Sequence, residues 1–256
     1  MSKNAVRRKR MPIQRLDKLL SSTGYCTRRE AAAEIKRGAV SVDGTVYKDP
    51  SYKIDPQQVC VMYQGERIGY QQFVYLMLHK PLGVLSARED RDQKTVMDLL
   101  PPHYRARGVF PMGRLDKETS GLLVLTDDGV LSHAVLSPKH HVDKVYLAQA
   151  DGVLTQADAD AFAAGITLRD GTKCRPAELE ILRVEDGHSF VRVTLHEGKY
   201  HQVRRMLASR GAPVIALERI AEGPLVLDEA LQPGAWRELT DTELEALRAC
   251  AKTGNS

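Results

Sequence analysis

The most informative stretch of the chain is Gly113-Arg114-Leu115-Asp116-Lys117-Glu118-Thr119-Ser120-Gly121-Leu122-Leu123-Val124-Leu125-Thr126-Asp127-Asp128-Gly129. It places one carboxylate, Asp116, among cations and glycines on a loop that leads directly into an apolar run. Such a run predicts a buried strand. An aspartate between glycines most often forms a turn, so this residue alone leaves both a structural and a catalytic interpretation open.

The flanking sequence alternates between strand-like and helix-like patterns. Helical periodicity predicts helices at residues 95–100, 130–136, 156–164, 200–209 and 241–250. Period-two alternation or short apolar runs predict strands at residues 73–79, 121–126, 143–150, 177–184 and 189–196. Because strands follow one another without regular intervening helices, we expect an α+β domain whose mixed, largely antiparallel sheet is flanked by helices.

The N-terminal part predicts a smaller unit with the order helix, helix, hairpin. Residues 15–21 place three leucines on one face of a short helix. The capping-box pattern Thr27-Arg28-Arg29-Glu30 begins a second helix, which Gly38 ends. Residues 40–46 alternate around an Asp-Gly turn, which is a strong hairpin signal.

Positive charge is concentrated in the same part of the chain. Residues 1–60 carry 13 Lys and Arg against 6 Asp and Glu, whereas residues 61–256 carry 24 against 27. Residues 1–12 are basic without an acid, so we expect a flexible arm there. A basic module on a near-neutral body is typical of a nucleic-acid-binding enzyme. Charge alone leaves a solvated basic surface as an equal alternative.

Composition argues against several other classes of protein. The apolar runs are far shorter than the roughly 20 residues that a membrane-spanning helix needs, and the N-terminus has no apolar signal segment. We therefore expect a cytoplasmic protein. The cysteines are scattered without a CxxC pair, which favours free thiols over disulfides or zinc: Cys26, Cys60, Cys174 and Cys250.

The N-terminal pattern resembles an S4 domain, a small αα-β unit that binds structured RNA. The resemblance rests on Arg15-Leu16-Asp17-Lys18-Leu19-Leu20, on the capped basic helix and on Gly38-Ala39-Val40-Ser41-Val42-Asp43-Gly44. Arg29 and Lys36 are seven positions apart, so they share one helical face from which both can reach phosphates. The RNA-contacting residues that we expect in this unit are Arg15, Lys18, Arg28, Arg29, Lys36 and Arg37.

The run from Gly113 to Gly129 closely resembles the catalytic motif of pseudouridine synthases, whose aspartate matches Asp116. Four further segments agree with that family in order: His79-Lys80-Pro81-Leu82-Gly83, Ser137-Pro138-Lys139-His140-His141, Lys144-Val145-Tyr146 and Gly198-Lys199-Tyr200-His201-Gln202-Val203-Arg204-Arg205-Met206. The family usually has Asn where this chain has His79, so we expect the hydrogen bond of that side chain to differ. With the S4-like part, the resemblance covers nearly the whole chain.

The resemblance implies a reaction that needs no cofactor and no metal. The N1–C1′ bond of a uridine breaks, the uracil rotates, and C5 joins C1′. Asp116 is the expected nucleophile at C1′, as in a retaining glycosidase. Arg204 is expected to keep that carboxylate charged, and Tyr146 to receive the unstacked uracil. Lys144 is expected to reach a phosphate, with further RNA contacts from Arg114, Lys199, Gln202 and Arg205.

The sequence thus predicts two domains, an S4-like domain at 13–60 and a catalytic domain at 73–247. A basic arm at 1–12 precedes them, a linker at 61–72 joins them, and a tail at 248–256 follows. The segments at 137–141 and 200–206 resemble the RsuA-like branch that acts on 16S rRNA, since members acting on 23S rRNA tend to carry Asn-Arg in place of Tyr-His. The expected partner is rRNA, in a partly assembled small subunit, bound by a monomer. The alternatives are a 23S rRNA enzyme, a non-catalytic ribosome-assembly factor and a hydrolase that uses Asp116 with Glu118.

Overall fold

A computed structural model describes residues 13–56, 58–68, 72–137 and 142–251. The expected basic arm, residues 138–141 of the Ser-Pro-Lys-His-His segment and residues 252–256 of the tail lie outside these ranges. The chain divides into two compact units, the first made of residues 1–72 and 100–108 and the second of residues 73–99 and 109–256. No helix in the described ranges is long and apolar enough to cross a membrane.

The first unit is a small α+β domain. In chain order it contains β1 (Gln14–Arg15), α1 (Leu16–Ser22), α2 (Arg28–Arg37), β2 (Val40–Val42), β3 (Thr45–Val46), β4 (Lys53–Ile54), β5 (Val61–Tyr63), β6 (Glu66–Ile68) and α3 (Pro102–Arg107). The predicted capping box forms, because Thr27 Oγ1 accepts from Glu30 N and the Glu30 carboxylate accepts from Thr27 N. Gly38 ends α2 in the left-handed conformation.

Apolar side chains from both helices and the small sheet form the core of this unit. Leu16, Leu19, Leu20 and Ile35 are fully buried, and fully burying such a side chain contributes about 1.5–3 kcal/mol. The expected linker at 61–72 is corrected in part, because residues 61–68 form the β5–β6 hairpin. The β5 strand pairs antiparallel with β2, and Val61 and Ile68 join the core.

The second unit is built on a nine-stranded sheet in the described residues. Its strands are β7 (Tyr75–Lys80), β8 (Phe110–Met112), β9 (Ser120–Thr126), β10 (Lys144–Asp151), β11 (Glu178–Glu185), β12 (His188–Leu195), β13 (Val214–Glu222), β14 (Leu225–Val226) and β15 (Trp236–Glu238). The order is β11-β12-β10-β13-β9-β7-β15, with β14 on β13 and β8 on β9. Only the β13–β9 pair is parallel among these described pairings. The expected mixed, largely antiparallel sheet is confirmed.

Four helices accompany this sheet in the described part of the unit: α4 (Gly129–Leu136), α5 (Gln156–Ala164), α6 (Gln202–Ser209) and α7 (Asp241–Cys250). Each matches a predicted helix. The expected helix at 95–100 is only a 3₁₀ turn at Val96–Leu99, and Pro101 follows it, a residue type that disfavours helix in the position before it. The core between sheet and helices includes Met77, Leu122, Val124 and Leu247.

Candidate active site

Asp116 lies on the loop between β8 and β9, and hydrogen bonds from several elements hold that loop. Ser86 Oγ donates to Leu115 O over 2.8 Å and accepts from Leu115 N over 3.1 Å. Thr119 N donates to Asp116 O over 3.0 Å, which closes a turn. The side chain of Asp116 remains 37% exposed, so it is held by its backbone and is accessible to a ligand.

Lys80 anchors the same loop from inside the protein. Its ammonium group is fully buried and donates to Pro81 O and Thr119 O, both over 2.9 Å, and to Lys117 O over 3.4 Å. Burial lowers the pKa of Lys80 to about 8, although the nearby Glu118 and Asp116 carboxylates oppose that shift. A buried ammonium that meets three carbonyls connects the segment after β7 to the Asp116 turn.

The Asp116 side chain borders a cleft of about 1080 Å³ in the second unit. Tyr146, Arg219, Glu222 and Lys144 also line this cleft. Tyr146 is 9% exposed and Arg219 only 1%. Burial raises the pKa of Tyr146, and the Arg219 guanidinium opposes the rise. The cleft therefore combines the accessible Asp116 carboxylate with a buried aromatic ring and a buried guanidinium.

Strand pairing explains why Arg219 and Glu222 meet in this cleft. Residues three apart on a regular strand point to opposite faces of a sheet. Here Tyr146 pairs with Arg219 while its neighbour Val145 pairs with Ala221, so one extra residue is accommodated on β13. Arg219 consequently lies opposite Tyr146, and Glu222 lies opposite Lys144 on the same face.

Arg204 does not have the position that the sequence predicted for it. Its Nη2 donates to the backbone carbonyl of Glu118, and it borders a second cavity together with Glu118 and Ser120. The expected Arg204–Asp116 pair is therefore corrected: the described residues show no such ion pair, and the buried arginine that lines the Asp116 cleft, beside Arg114 and Arg175 of its border, is Arg219. The same geometry weakens the hydrolase alternative, because Glu118 borders the second cavity whereas Asp116 borders the first.

The His201 side chain lies beside the Asp116 carboxylate. Its Nε2 lies 3.6 Å from Asp116 Oδ1, and its ring stacks on Tyr200 with centroids 3.9 Å apart. His201 has a φ of 48°, a left-handed conformation uncommon for residues other than glycine. This backbone immediately before α6 directs the imidazole towards the carboxylate, whereas Tyr200 stays 75% exposed.

The other predicted RNA contacts of the second unit lie around the cleft. Arg114 is exposed at its border. Lys199 pairs with Glu197 over 2.8 Å, and Arg205 pairs with Asp170. Gln202 is buried and its amide bonds Lys199 N and Glu197, which indicates a role in loop structure. Lys144 is mostly buried and donates to Val142 O over 2.9 Å, which places its ammonium inside the cleft.

The predicted cations of the first unit differ in how they are paired. Arg15 makes a bidentate contact with the buried Asp17, whose pKa is lowered mainly by that hydrogen bond. Arg28 lies 3.5 Å from the same carboxylate, and Arg37 pairs with Glu34. The three remaining predicted contacts are exposed: Lys18, Arg29 and Lys36.

Sequence reasoning missed Lys80, His201, Arg219 and Glu222 as residues of the site. Lys80 and His201 lie inside segments that resemble the pseudouridine synthases, so the sequence does carry a signal for these two positions. Arg219 and Glu222 lie about a hundred residues beyond Asp116, outside the segments on which the family resemblance rests. Among the described side chains, no three His, Cys, Asp or Glu come close enough together to hold a metal ion.

Comparison with known proteins agrees with this geometry. Residues 74–209 match the RNA pseudouridylate synthase family, and residues 14–60 match the S4 domain. The chain is 45% identical to an RNA pseudouridine synthase, YtzG, of Bacillus subtilis over 91% of its own length and 98% of the relative's. It is 42% identical to the ribosomal small subunit pseudouridine synthase A of Vibrio cholerae, over 91% and 99%.

A solved crystal structure of a pseudouridylate synthase also resembles the chain. The two share 37% of their residues, with a TM-score of 0.63, over 91% of this chain and 99% of the other. The family match covers more than half of the chain, and its residues include the Asp116 loop and Tyr146. The chain belongs to the RNA pseudouridine synthase family and carries an S4 domain at its N-terminus.

Proposed function

We propose that this pseudouridine synthase isomerises one uridine of 16S rRNA, with Asp116 as the nucleophile. The observation that carries the proposal is the Asp116 cleft, where an accessible carboxylate faces a buried tyrosine and a buried arginine. The small-subunit substrate is supported by the relative from Vibrio cholerae, which is named for that activity and matched over 99% of its length.

In this mechanism the target nucleotide leaves its stack and its uracil enters the cleft against Tyr146. The Asp116 carboxylate attacks C1′ as the N1–C1′ bond breaks, and the freed uracil turns until C5 faces C1′. The C5–C1′ bond then forms as the Asp116–C1′ bond breaks. C5 gives up its proton and N1 takes one up, so that no atom is gained or lost. Arg219 stabilises negative charge in the cleft, and His201 holds the Asp116 side chain.

The S4 domain supplies a second contact surface on the RNA. Two modest surfaces on one chain raise the effective concentration of the catalytic cleft near its target. Recognition then depends on RNA shape, as is usual for structured RNA. We accordingly place the enzyme in the cytoplasm, as a monomer acting on a partly assembled small subunit in preference to free 16S rRNA.

Replacement of Asp116 tests the catalytic assignment. Asp116→Asn keeps the size of the side chain and removes the nucleophile, so pseudouridine formation should be lost while RNA binding persists. Glu118→Gln is the matched control, because this neighbouring carboxylate borders the other cavity and its replacement should leave turnover intact. Wild-type turnover by Asp116→Asn would refute the assignment.

The substrate is tested by mapping pseudouridines in rRNA from strains with and without the gene. Carbodiimide marking followed by primer extension should show the loss of a single 16S signal. Loss of a 23S signal with every 16S signal retained would reject the substrate while leaving the reaction intact. Purified enzyme should also modify partly assembled particles faster than naked 16S rRNA.

A further inference from the structure

Glu222 is a buried carboxylate whose hydrogen-bonding capacity the protein does not use. It is 1% exposed, and neither Oε1 nor Oε2 has a hydrogen-bond partner among the described residues. Arg219 Nη2 lies 3.2 Å from Oε2 without hydrogen-bond geometry, and it likewise lacks a partner in the described structure. Burying charged groups without hydrogen bonds is costly even where opposite charges lie close together, so their retention calls for an explanation.

The position of Glu222 indicates a ligand as the explanation. The residue lines the cleft that also contains Asp116 and Tyr146. Two cations flank it, Arg219 on its own strand and Lys144 opposite, whose Nζ lies 4.0 Å from Oε1. Arg219 is fixed by its Nε, which donates to Leu122 O over 2.9 Å. The cleft therefore presents an acceptor between two groups of donors.

Uracil carries the complementary pattern on one edge. Its O2 and O4 atoms accept hydrogen bonds, and the N3–H group between them donates one. We propose that Glu222 accepts the N3–H of the target uracil, with Arg219 and Lys144 donating to the carbonyl oxygens on either side. Cytosine has a lone pair at N3, which would face the Glu222 carboxylate, and an amino donor at C4, which would face one of the two cationic donors. Both contacts would be repulsive. Glu222 is thus a specificity residue that selects uridine.

This inference rests on the proposed role of the Asp116 cleft, and its test separates the two. An rRNA fragment that carries the mapped uridine is compared with the same fragment carrying 3-methyluridine at that position. Methylation removes the N3–H group, so kcat/KM of the wild-type enzyme should fall about 10- to 100-fold, the effect of losing a hydrogen bond to a charged group. Glu222→Ala removes the acceptor and leaves room for the methyl group, so methylation should then cost less than about threefold.

The matched control is Glu218→Gln, because Glu218 lies on the same strand but borders the second cavity. Methylation should lower kcat/KM of this variant as much as it does in the wild type. If methylation lowered kcat/KM equally in Glu222→Ala and in the wild type, the proposal would be overturned. The effect of losing the N3–H group would then not depend on the Glu222 carboxylate. If Asp116→Asn lost activity while methylation affected Glu222→Ala and the wild type equally, the proposed function would be supported. Only the role of Glu222 in uracil recognition would then be rejected.

A binding measurement keeps the proposal testable if Glu222→Ala folds poorly. Glu222→Gln preserves the size of the side chain, and its amide can donate to the N3 of cytosine. In the Asp116→Asn background, the ratio of affinities for uridine and cytidine fragments should narrow about tenfold when Gln replaces Glu222. An unchanged ratio would contradict the assigned contact.

Discussion

The backbones of Gly121 and Arg219 touch where β9 and β13 run parallel. A Cβ atom at position 121 would lie 2.2 Å from Arg219 O and 2.6 Å from Arg219 N, and Gly121 has a φ of +109°. Only glycine fits this contact, because the obstructing atoms are backbone and cannot rotate away. The contact connects the strand that follows Asp116 to the strand that carries Arg219.

Gly121→Ala should therefore destabilise the fold and abolish activity together. Backbone strain alone costs about 1–3 kcal/mol, and the contact with Arg219 adds to it. Gly187→Ala is the matched control, since Gly187 has a φ of +79° but no neighbour within 4 Å of the added atom. Urea unfolding should show a clearly larger loss for Gly121→Ala, and equal losses would mean that the β9–β13 contact adapts.

Lys80 predicts a particular dependence of stability on pH. Its pKa is about 8 in the folded protein, below the ordinary value of 10.5. Between these values the unfolded chain binds more protons at this site, so the free energy of unfolding should rise with pH in that window. The difference in unfolding free energy between wild type and Lys80→Met should therefore grow from pH 7.5 to pH 9.5.

The exposed Lys94 provides the comparison for this measurement. The difference between wild type and Lys94→Met should stay constant over the same interval. A constant difference for Lys80→Met as well would show that burial does not lower the pKa of Lys80. The three carbonyl contacts would then offset the whole desolvation of its ammonium group.

Arg204 should affect turnover through the position of the catalytic loop. Arg204→Ala removes the contact with the Glu118 carbonyl and should lower kcat about 10- to 100-fold, since small misplacements of reacting groups carry such penalties. Arg204→Lys should recover part of the activity, because a single N–H donor reaches one carbonyl. Arg183→Ala, in the same cavity but over the Phe190 ring, should leave kcat unchanged. Equal loss in the Lys and Ala variants would point to a role that requires the guanidinium itself.

The sequence predicted the elements with regular patterns and failed where charge interrupts them. Helices α5 and α7 begin and end as expected. Strand β13 was missed, because its buried Arg219 and Glu222 break the apolar alternation that marks a strand. Arg219 was missed as a residue of the cleft for the same reason, and because the parallel β9–β13 pairing joins distant parts of the chain. No local pattern encodes such a pairing.

The sequence patterns also did not predict where the first unit ends. Residues 61–68 look polar, yet β5 supplies the strand that β2 needs on its second edge. A truncation after residue 60 would therefore remove β5 and β6, two of the four strands of the small sheet. The β2–β3 hairpin would then have no partner on its second edge. Point substitutions on α2 test RNA binding by this unit without that damage.

Arg29 and Lys36 are exposed on α2, so each is available to neutralise a phosphate of the RNA. Each phosphate contact contributes about 0.7–0.9 to the slope of log affinity against log salt, because binding releases a counterion. The double variant Arg29→Gln/Lys36→Gln should accordingly reduce that slope by about 1.5 and weaken binding at low salt most. Arg37→Gln is the control: Arg37 already pairs with Glu34, so its loss should change the slope less than the loss of Arg29 or of Lys36. An unaltered slope in the double variant would mean that the α2 face does not contact RNA and that the affinity comes from another surface.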